Sequence, residues 1–242
     1  MEPTPAPHAE FHTTRWTLVL AAGGEDDAAA REALSALCRT YWYPLYAFAR
    51  RKGAAPDAAE DLVQGFLARL IDKRELRQVA RDKGRFRSFL MAALQHHVAN
   101  ERDRERAEKR GGGAVKLAVD FEAADERFAR EPARGRTPEQ EFDRAWALEV
   151  LRAALGELER EYRASSREAL FDALRGELEG APAPHAEVAE RLTMSVGAVK
   201  TAAHRLRERF GETLRSIVAS TVSSPAAVEA ELGALLRALS QP

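Results

Sequence analysis

The 242-residue chain is expected to be all-α, with two helical domains joined by an extended linker. Three observations carry that expectation. Apolar residues recur at helical spacing nearly throughout, as in Leu34, Leu37, Cys38 and Tyr41. One stretch alone, Val115, Leu117, Val119 and Phe121, alternates with a period of two. Glycine and proline gather between the periodic segments, at Gly111-Gly112-Gly113, Gly135-Arg136-Thr137-Pro138 and Gly180-Ala181-Pro182-Ala183-Pro184.

Taken in order, residues 1–26 form an amino-terminal extension. A first helical domain covers 27–110. Pro44 restarts the chain there, as the first turn of a helix running to Arg51, where a missing N–H is tolerated. Asp57-Ala58-Ala59-Glu60 has capping-box spacing and opens a helix to Asp72. A short piece from Arg74 to Ala80 and a polar loop, Arg81-Asp82-Lys83-Gly84, lead into a long helix from Arg85 to Arg106. The linker is 111–137. A second domain, 138–216, starts with a helix from Glu139 to Tyr162 whose apolar set includes Phe142, Trp146, Val150 and Leu158. A further helix from Ser166 to Leu178 and two closely spaced helices complete it. Residues 217–242 are a helical extension. Ser224-Pro225 is a helix start there, and Val228, Leu232, Leu235, Leu236 and Leu239 make one stripe. A lone helix of about 15 residues is marginal in water, so that stripe is expected to dock on the Trp146 to Leu158 side of the same chain.

Composition excludes several classes. No apolar run reaches the roughly 20 residues of a membrane span, and the start has neither basic flank nor apolar core, so a cytoplasmic protein with no membrane partner is expected. One cysteine rules out an internal disulfide framework. None of the six histidines pairs with another residue at metal-ligand spacing. Gly111-Gly112-Gly113 is not followed by Lys-Ser/Thr and is no phosphate loop. No metal, cofactor or catalytic residue is expected, and the chain reads as a non-enzyme. The net charge of −1 hides segregation: nine lysines and arginines against five acids from Arg81 to Arg110, six against two from Arg191 to Arg215, and ten against sixteen from Asp120 to Gly180. Clustered basic charge is the footprint of a polyanionic partner, although solvated helix faces produce the same pattern.

The carboxyl-terminal basic block is the more specific. Ala186 to Leu192 is a short helix with Val188, Ala189 and Leu192 inward. Thr193-Met194-Ser195 is a turn, and Ser195 caps the next helix. In that helix Val199, Ala203, Leu206 and Phe210 share one stripe. Thr201, His204, Arg205 and Glu208 lie opposite, flanked by Lys200 and Arg207. This is a helix-turn-helix pattern with a basic reading helix, whose donors would meet base edges and phosphates in the major groove. The candidate DNA contacts are Ser195, Lys200, Thr201, His204, Arg205, Arg207 and Arg209.

Two amino-terminal helices add to it. On the helix after Asp57, Leu62, Val63, Phe66, Leu67 and Leu70 face inward, while Asp61, Gln64, Gly65, Ala68 and Asp72 share an arc. Gly65 costs up to about 1 kcal/mol of helix stability relative to alanine. A small-residue strip of this kind suits either a docked partner helix or tight packing inside its own domain. The Arg85 to Arg106 helix turns Phe86, Leu90, Leu94 and His97 to one side. Ser88, Met91, Gln95, Ala99 and Arg102 fall on the other, with His96 and Asn100 at the margin. Donors and cations on one face suit sugar-phosphate and unpaired bases; a charged surface helix would look the same.

In this order of parts the chain resembles an RNA polymerase sigma factor of the extracytoplasmic-function (ECF) type, within the sigma-70 family. Asp61-Leu62-Val63-Gln64-Gly65-Phe66 is similar to the region-two helix that docks on core polymerase. That likeness implies Asp61, Leu62, Gln64, Gly65 and Phe66 as contacts to the β and β′ subunits. Gly84 to Leu90 followed by His96-His97-Val98-Ala99-Asn100 resembles the segment that melts and reads the minus-ten element. This implies Lys83, Arg85, Phe86, Arg87, Ser88, Gln95, His96, Asn100 and Arg102 as DNA contacts. Glu187-Val188-Ala189, Val199-Lys200 and His204-Arg205-Leu206 resemble region four, which reads the minus-thirty-five element. The resemblance further implies promoter DNA as partner, an anti-sigma factor or other regulatory protein, and a linker that threads the polymerase channels and orders only there. Phe89 stands where a tryptophan is common, Asn100 where an aspartate is, His96 for asparagine and Thr193 for glycine, departures that bear on promoter sequence. The alternative class is a conventional helix-turn-helix regulator with an amino-terminal sensing or dimerising domain.

Overall fold

The computed structural model describes residues 28–72, 86–105, 121–131 and 135–240, and all of its regular elements there are helices. They are α1 (Ala28–Arg51), α2 (Pro56–Asp72), α3 (Phe86–Glu105), α4 (Phe121–Arg130), α5 (Pro138–Ala164), α6 (Glu168–Leu174), α7 (Gly176–Glu179), α8 (His185–Leu192), α9 (Val196–Ala219) and α10 (Pro225–Ser240). No described helix is long and apolar enough to cross a membrane.

Local chemistry explains most boundaries. Thr137 accepts from the Gln140 amide and the Gln140 side chain accepts from the Thr137 amide, so a full capping box opens α5, with Pro138 in its first turn. Gly180 ends α7 in the left-handed region, and a Cβ on Gly176 would lie 2.3 Å from the Ala181 carbonyl oxygen. Pro225 opens α10 as expected. Several boundaries differ from expectation, and the single helix expected from Ser166 to Leu178 is two, α6 and α7. α2 begins at Pro56, one residue before Asp57, because proline suits the first helical position. Pro44 breaks nothing: α1 runs through it. A mid-helix proline loses one backbone hydrogen bond, but Tyr41, Tyr43, Leu45 and Tyr46 around it are all buried, and that packing holds the helix together.

Apolar packing divides into two clusters. The larger joins α1, α2 and α3 with Phe142, Ala145, Trp146 and Val150 of α5, Val218 at the end of α9, and Val228, Leu235 and Ala238 of α10. The smaller joins Leu158 and Tyr162 of α5 to Phe171 and Leu174 of α6, Val188 and Ala189 of α8, and Val199, Ala203 and Leu206 of α9. The first half of α5 thus packs with the amino-terminal helices, although the sequence groups it with the second domain. A 27-residue helix is about 40 Å long and outreaches one small cluster. α5 and α9 are the two struts that run from one cluster to the other. Cys38 is buried in the larger cluster, and burial pushes its thiol pKa up to about 12.

Two further expectations are settled here. The carboxyl-terminal stripe docks within the chain: Val228 and Leu235 are buried and Leu232 and Leu239 pack partly against the core, while Leu236 stays exposed. The linker is corrected in part. Val115, Leu117 and Val119 lie outside the described residues, but Phe121 opens a helix instead of closing an extended segment. Residues 121–131 are packed in the free chain. Ala124 is buried, Tyr46 donates to Asp125, Arg127 lies 3.3 Å from the Tyr43 ring centroid, and Tyr43 donates to Glu131 at 3.0 Å. Aromatic faces and paired charges on α1 give this segment a partner that the period-two pattern did not reveal.

Candidate functional site

The α8–α9 unit carries the clearest candidate for a reading surface. α8 ends at Thr193, whose φ of 54° places a β-branched residue in the left-handed region. This is the position where the resemblance expects glycine. The turn then delivers Ser195, which caps α9 by accepting from the Ala198 amide at 3.1 Å. Val199, Ala203 and Leu206 are fully buried, so rotation of α9 about its axis is fixed. Lys200, Thr201, His204, Arg205, Arg207 and Arg209 are all exposed.

Their partners separate these side chains into two groups. Among the described residues Lys200 and Arg205 have no ion-pair partner. Thr201 donates back to the Gly197 carbonyl, and His204 lies 3.4 Å from Glu208 on the surface. Arg207, by contrast, pairs at 2.6 Å with Glu177, a carboxylate 9% exposed that also contacts His185 at 2.8 Å. Arg209 reaches Glu161 and Glu212, which raise its pKa further. Arg207 and Arg209 therefore tie α9 to α7 and α5, and the free face is Lys200, Thr201, His204 and Arg205.

On α2, Asp61 is exposed and Gln64 and Gly65 are half-buried, with the Gln64 amide donating to Glu60 at 2.8 Å. A Cβ placed on Gly65 meets nothing within 4 Å. Packing against the described residues, the competing explanation of this glycine, does not require it. Asp61, Leu62 and Gly65 line a groove of about 630 Å³ closed on its other side by Gln95 and Val98 of α3. Phe66 differs from expectation. It is buried against His97, ring centroids 5.7 Å apart, because it shares the inward face with Val63 and Leu67, and so it supports the strip from beneath. Ala68 is likewise buried, which narrows the strip.

α3 divides more sharply. Lys83 and Arg85 lie outside the described residues. Asn100 and Arg102 lie on the α3 helix, and Ser88, Gln95 and His96 are exposed on it. Phe86 and Arg87 are not presented to solvent. Phe86 is 0% exposed, edge-on to Tyr41 and stacked with Phe89, and its amide donates to the Thr221 carbonyl at 3.0 Å. The Arg87 side chain is 13% exposed and sits 4.5 Å over the Trp146 ring. Its Nε donates to Glu231 of α10 at 2.9 Å, a second nitrogen donates to the same carboxylate, and a third pairs with Asp143 of α5. Burial works against its charge, but the two carboxylates outweigh burial and raise the Arg87 pKa. A covering helix was the missing information: the α3 sequence alone puts a cation at position 87 and does not say what covers it.

The geometry defines a helical protein with a helix-turn-helix that exposes a basic face in one cluster and an open small-residue strip in the other. The chain matches the model of the family described as ECF sigma factor over residues 18–216, and it belongs to that family. Its role is that of a sigma factor in promoter-specific transcription. No curated protein and no solved structure gives a match. Residues 217–240, and with them α10, lie beyond the family match.

Proposed function

We propose that the chain binds core RNA polymerase through α2, opens and holds the minus-ten strand along α3, and anchors on the minus-thirty-five element through α9. The core contacts are Asp61, Leu62, Gln64 and Gly65 toward the β and β′ subunits, with Phe66 shaping the helix from inside. The minus-ten contacts are Ser88, Gln95 and His96 on the exposed α3 face, with Lys83, Arg85, Asn100 and Arg102 from the same segment. The minus-thirty-five contacts are Lys200, Thr201, His204 and Arg205, while Ser195 sets the start of the reading helix. Regions two and four then correspond to residues 27–110 and 138–216. The work is non-enzymatic and belongs in the cytoplasm, where an anti-sigma factor or similar regulator is a further partner.

The observation that carries this reading is the glycine of α2. A residue that weakens its helix, meets no neighbour among the described residues and lies beside an exposed carboxylate is explained by a partner that approaches closely there. The test separates the surfaces. Purified protein with core polymerase is expected to initiate at a cognate promoter. Asp61→Lys is expected to lose core binding with unchanged melting temperature, since Asp61 is exposed. Arg205→Ala is expected to keep core binding and lose affinity for the upstream element. Loss of both activities together in each variant would contradict the division of roles.

A further inference from the structure

The promoter-reading surfaces assigned above are held too close together to be used at once. α3 is joined to the end of α9 by the Phe86–Thr221 hydrogen bond. From there back along α9 to Thr201 is about 30 Å at 1.5 Å per residue. Adding the whole length of α3, another ~30 Å, the two surfaces span less than about 60 Å. The centres of elements named minus ten and minus thirty-five are about 25 base pairs apart, ~85 Å of straight duplex at 3.4 Å per pair. The described arrangement is therefore a closed one.

What fastens it is specific. α1–α3 and α5–α10 share an apolar interface, which is non-directional. Among the described residues two charge clusters with a buried carboxylate cross it: Arg51 of α1 faces Glu141 of α5, and Arg87 from α3 meets Asp143 from α5 and Glu231 from α10, with Arg87 over Trp146; the second is the one that includes α10. Glu231 is 0% exposed in a helix whose other inward positions, Val228, Leu235 and Ala238, are apolar. A buried carboxylate weakens a docking stripe unless it has a partner, and its partner here is the cation of the minus-ten helix. α10 lies beyond the family match, so the clasp is an addition to the sigma plan.

We infer that α10 is a built-in latch: Glu231 captures Arg87 and so holds the minus-ten helix and the helix-turn-helix unit in a closed body that must open for both promoter elements to be read. Asp61 and Gly65 stay accessible in the closed body, so polymerase can dock on α2 before the latch releases. The inference rests on the promoter roles proposed for α3 and α9. Its consequence in the free chain can be read without polymerase or DNA.

The test uses spin labels on the full chain at Arg39→Cys and Glu187→Cys, both exposed and on opposite sides of the interface; buried Cys38 stays unlabelled. The parent is expected to give one short distance. Glu231→Arg is expected to add a population longer by on the order of 10 Å, about two helical turns, with helicity retained. Combining it with Arg87→Glu is expected to restore the short distance. If Glu231→Arg loses helicity, the isosteric Glu231→Gln is read in its place, with the same direction and a smaller long population. With core polymerase and promoter, the parent is expected to shift to the long distance. An unchanged distance in the folded Glu231 variant, no rescue by the swap, or a short distance in the promoter complex would overturn the latch. Whether the chain is a sigma factor at all is read separately, by initiation.

Discussion

Arg87 and Arg205 are both arginines on helices that the sequence marks as nucleic-acid readers, yet their surroundings are opposite. Arg205 is exposed without an ion-pair partner among the described residues, on a helix whose inward face is fixed by Val199, Ala203 and Leu206. Arg87 is enclosed by Trp146, Asp143 and Glu231. The difference lies in what covers each helix. Nothing described crosses the outer face of α9 at Arg205, whereas α5 and α10 both reach Arg87. A basic helix face is a reading surface only where no acidic helix of the same chain has claimed it.

The largest effect is expected at Trp146, beneath Arg87. Trp146→Ala removes the ring beneath Arg87 and a fully buried indole from the larger cluster. It is expected to cost roughly 3–5 kcal/mol of stability, seen as a fall in chemical-denaturation midpoint. An intact midpoint would mean that the larger cluster does not depend on α5.

The next effect sharpens the contrast within α9 itself. Arg205→Ala is expected to lose about 1–3 kcal/mol of DNA affinity at one promoter position, without change in melting temperature. Arg207→Ala is expected to do the reverse. It leaves the largely buried Glu177 without its cation and lowers stability by about 1 kcal/mol, with a smaller effect on sequence preference. Equal behaviour of the two variants in binding and calorimetry would remove the distinction between free and tied cations.

Gly65→Ala tests the α2 strip. It is expected to stabilise the protein by up to about 1 kcal/mol, because the helix gains and the new methyl meets none of the described residues, while core-polymerase affinity falls. Higher stability with undiminished core binding would leave the glycine unexplained. The smallest change is expected at the turn. Thr193→Gly relieves a left-handed β-branched residue, a strain of about 1–2 kcal/mol, partly offset by glycine's greater freedom when unfolded. A modest rise in melting temperature is the expected reading.

How much of this was legible in the sequence follows from which interactions are local. The helix-turn-helix could be read because its evidence lies within 26 residues: Ser195 as cap, and the stripe from Val199 to Phe210. The start of α10 was legible for the same reason. What escaped was set by distant partners. Pro44 continues a helix because residues on both sides are buried. Phe121 begins a helix because Tyr43 and Tyr46 receive its charged face. Phe86 is buried against Tyr41 and bonds to Thr221, and Arg87 is held by a helix that starts 138 residues after it. A signal was present in the last case: Glu231 is an acid on the inward side of an apolar stripe, and such a residue calls for a buried cation elsewhere in the chain.

The central claim is that this chain brings core polymerase to a promoter through two separate surfaces. The most direct measurement is transcription from a cognate promoter with core polymerase and, in turn, the parent protein, Asp61→Lys and Arg205→Ala, with core binding followed in parallel. The account predicts promoter-dependent transcripts with the parent, no core binding and no transcripts with Asp61→Lys, and intact core binding with weakened initiation for Arg205→Ala. Core polymerase that starts equally well without the protein, or an Asp61→Lys variant that still supports full initiation, would contradict it.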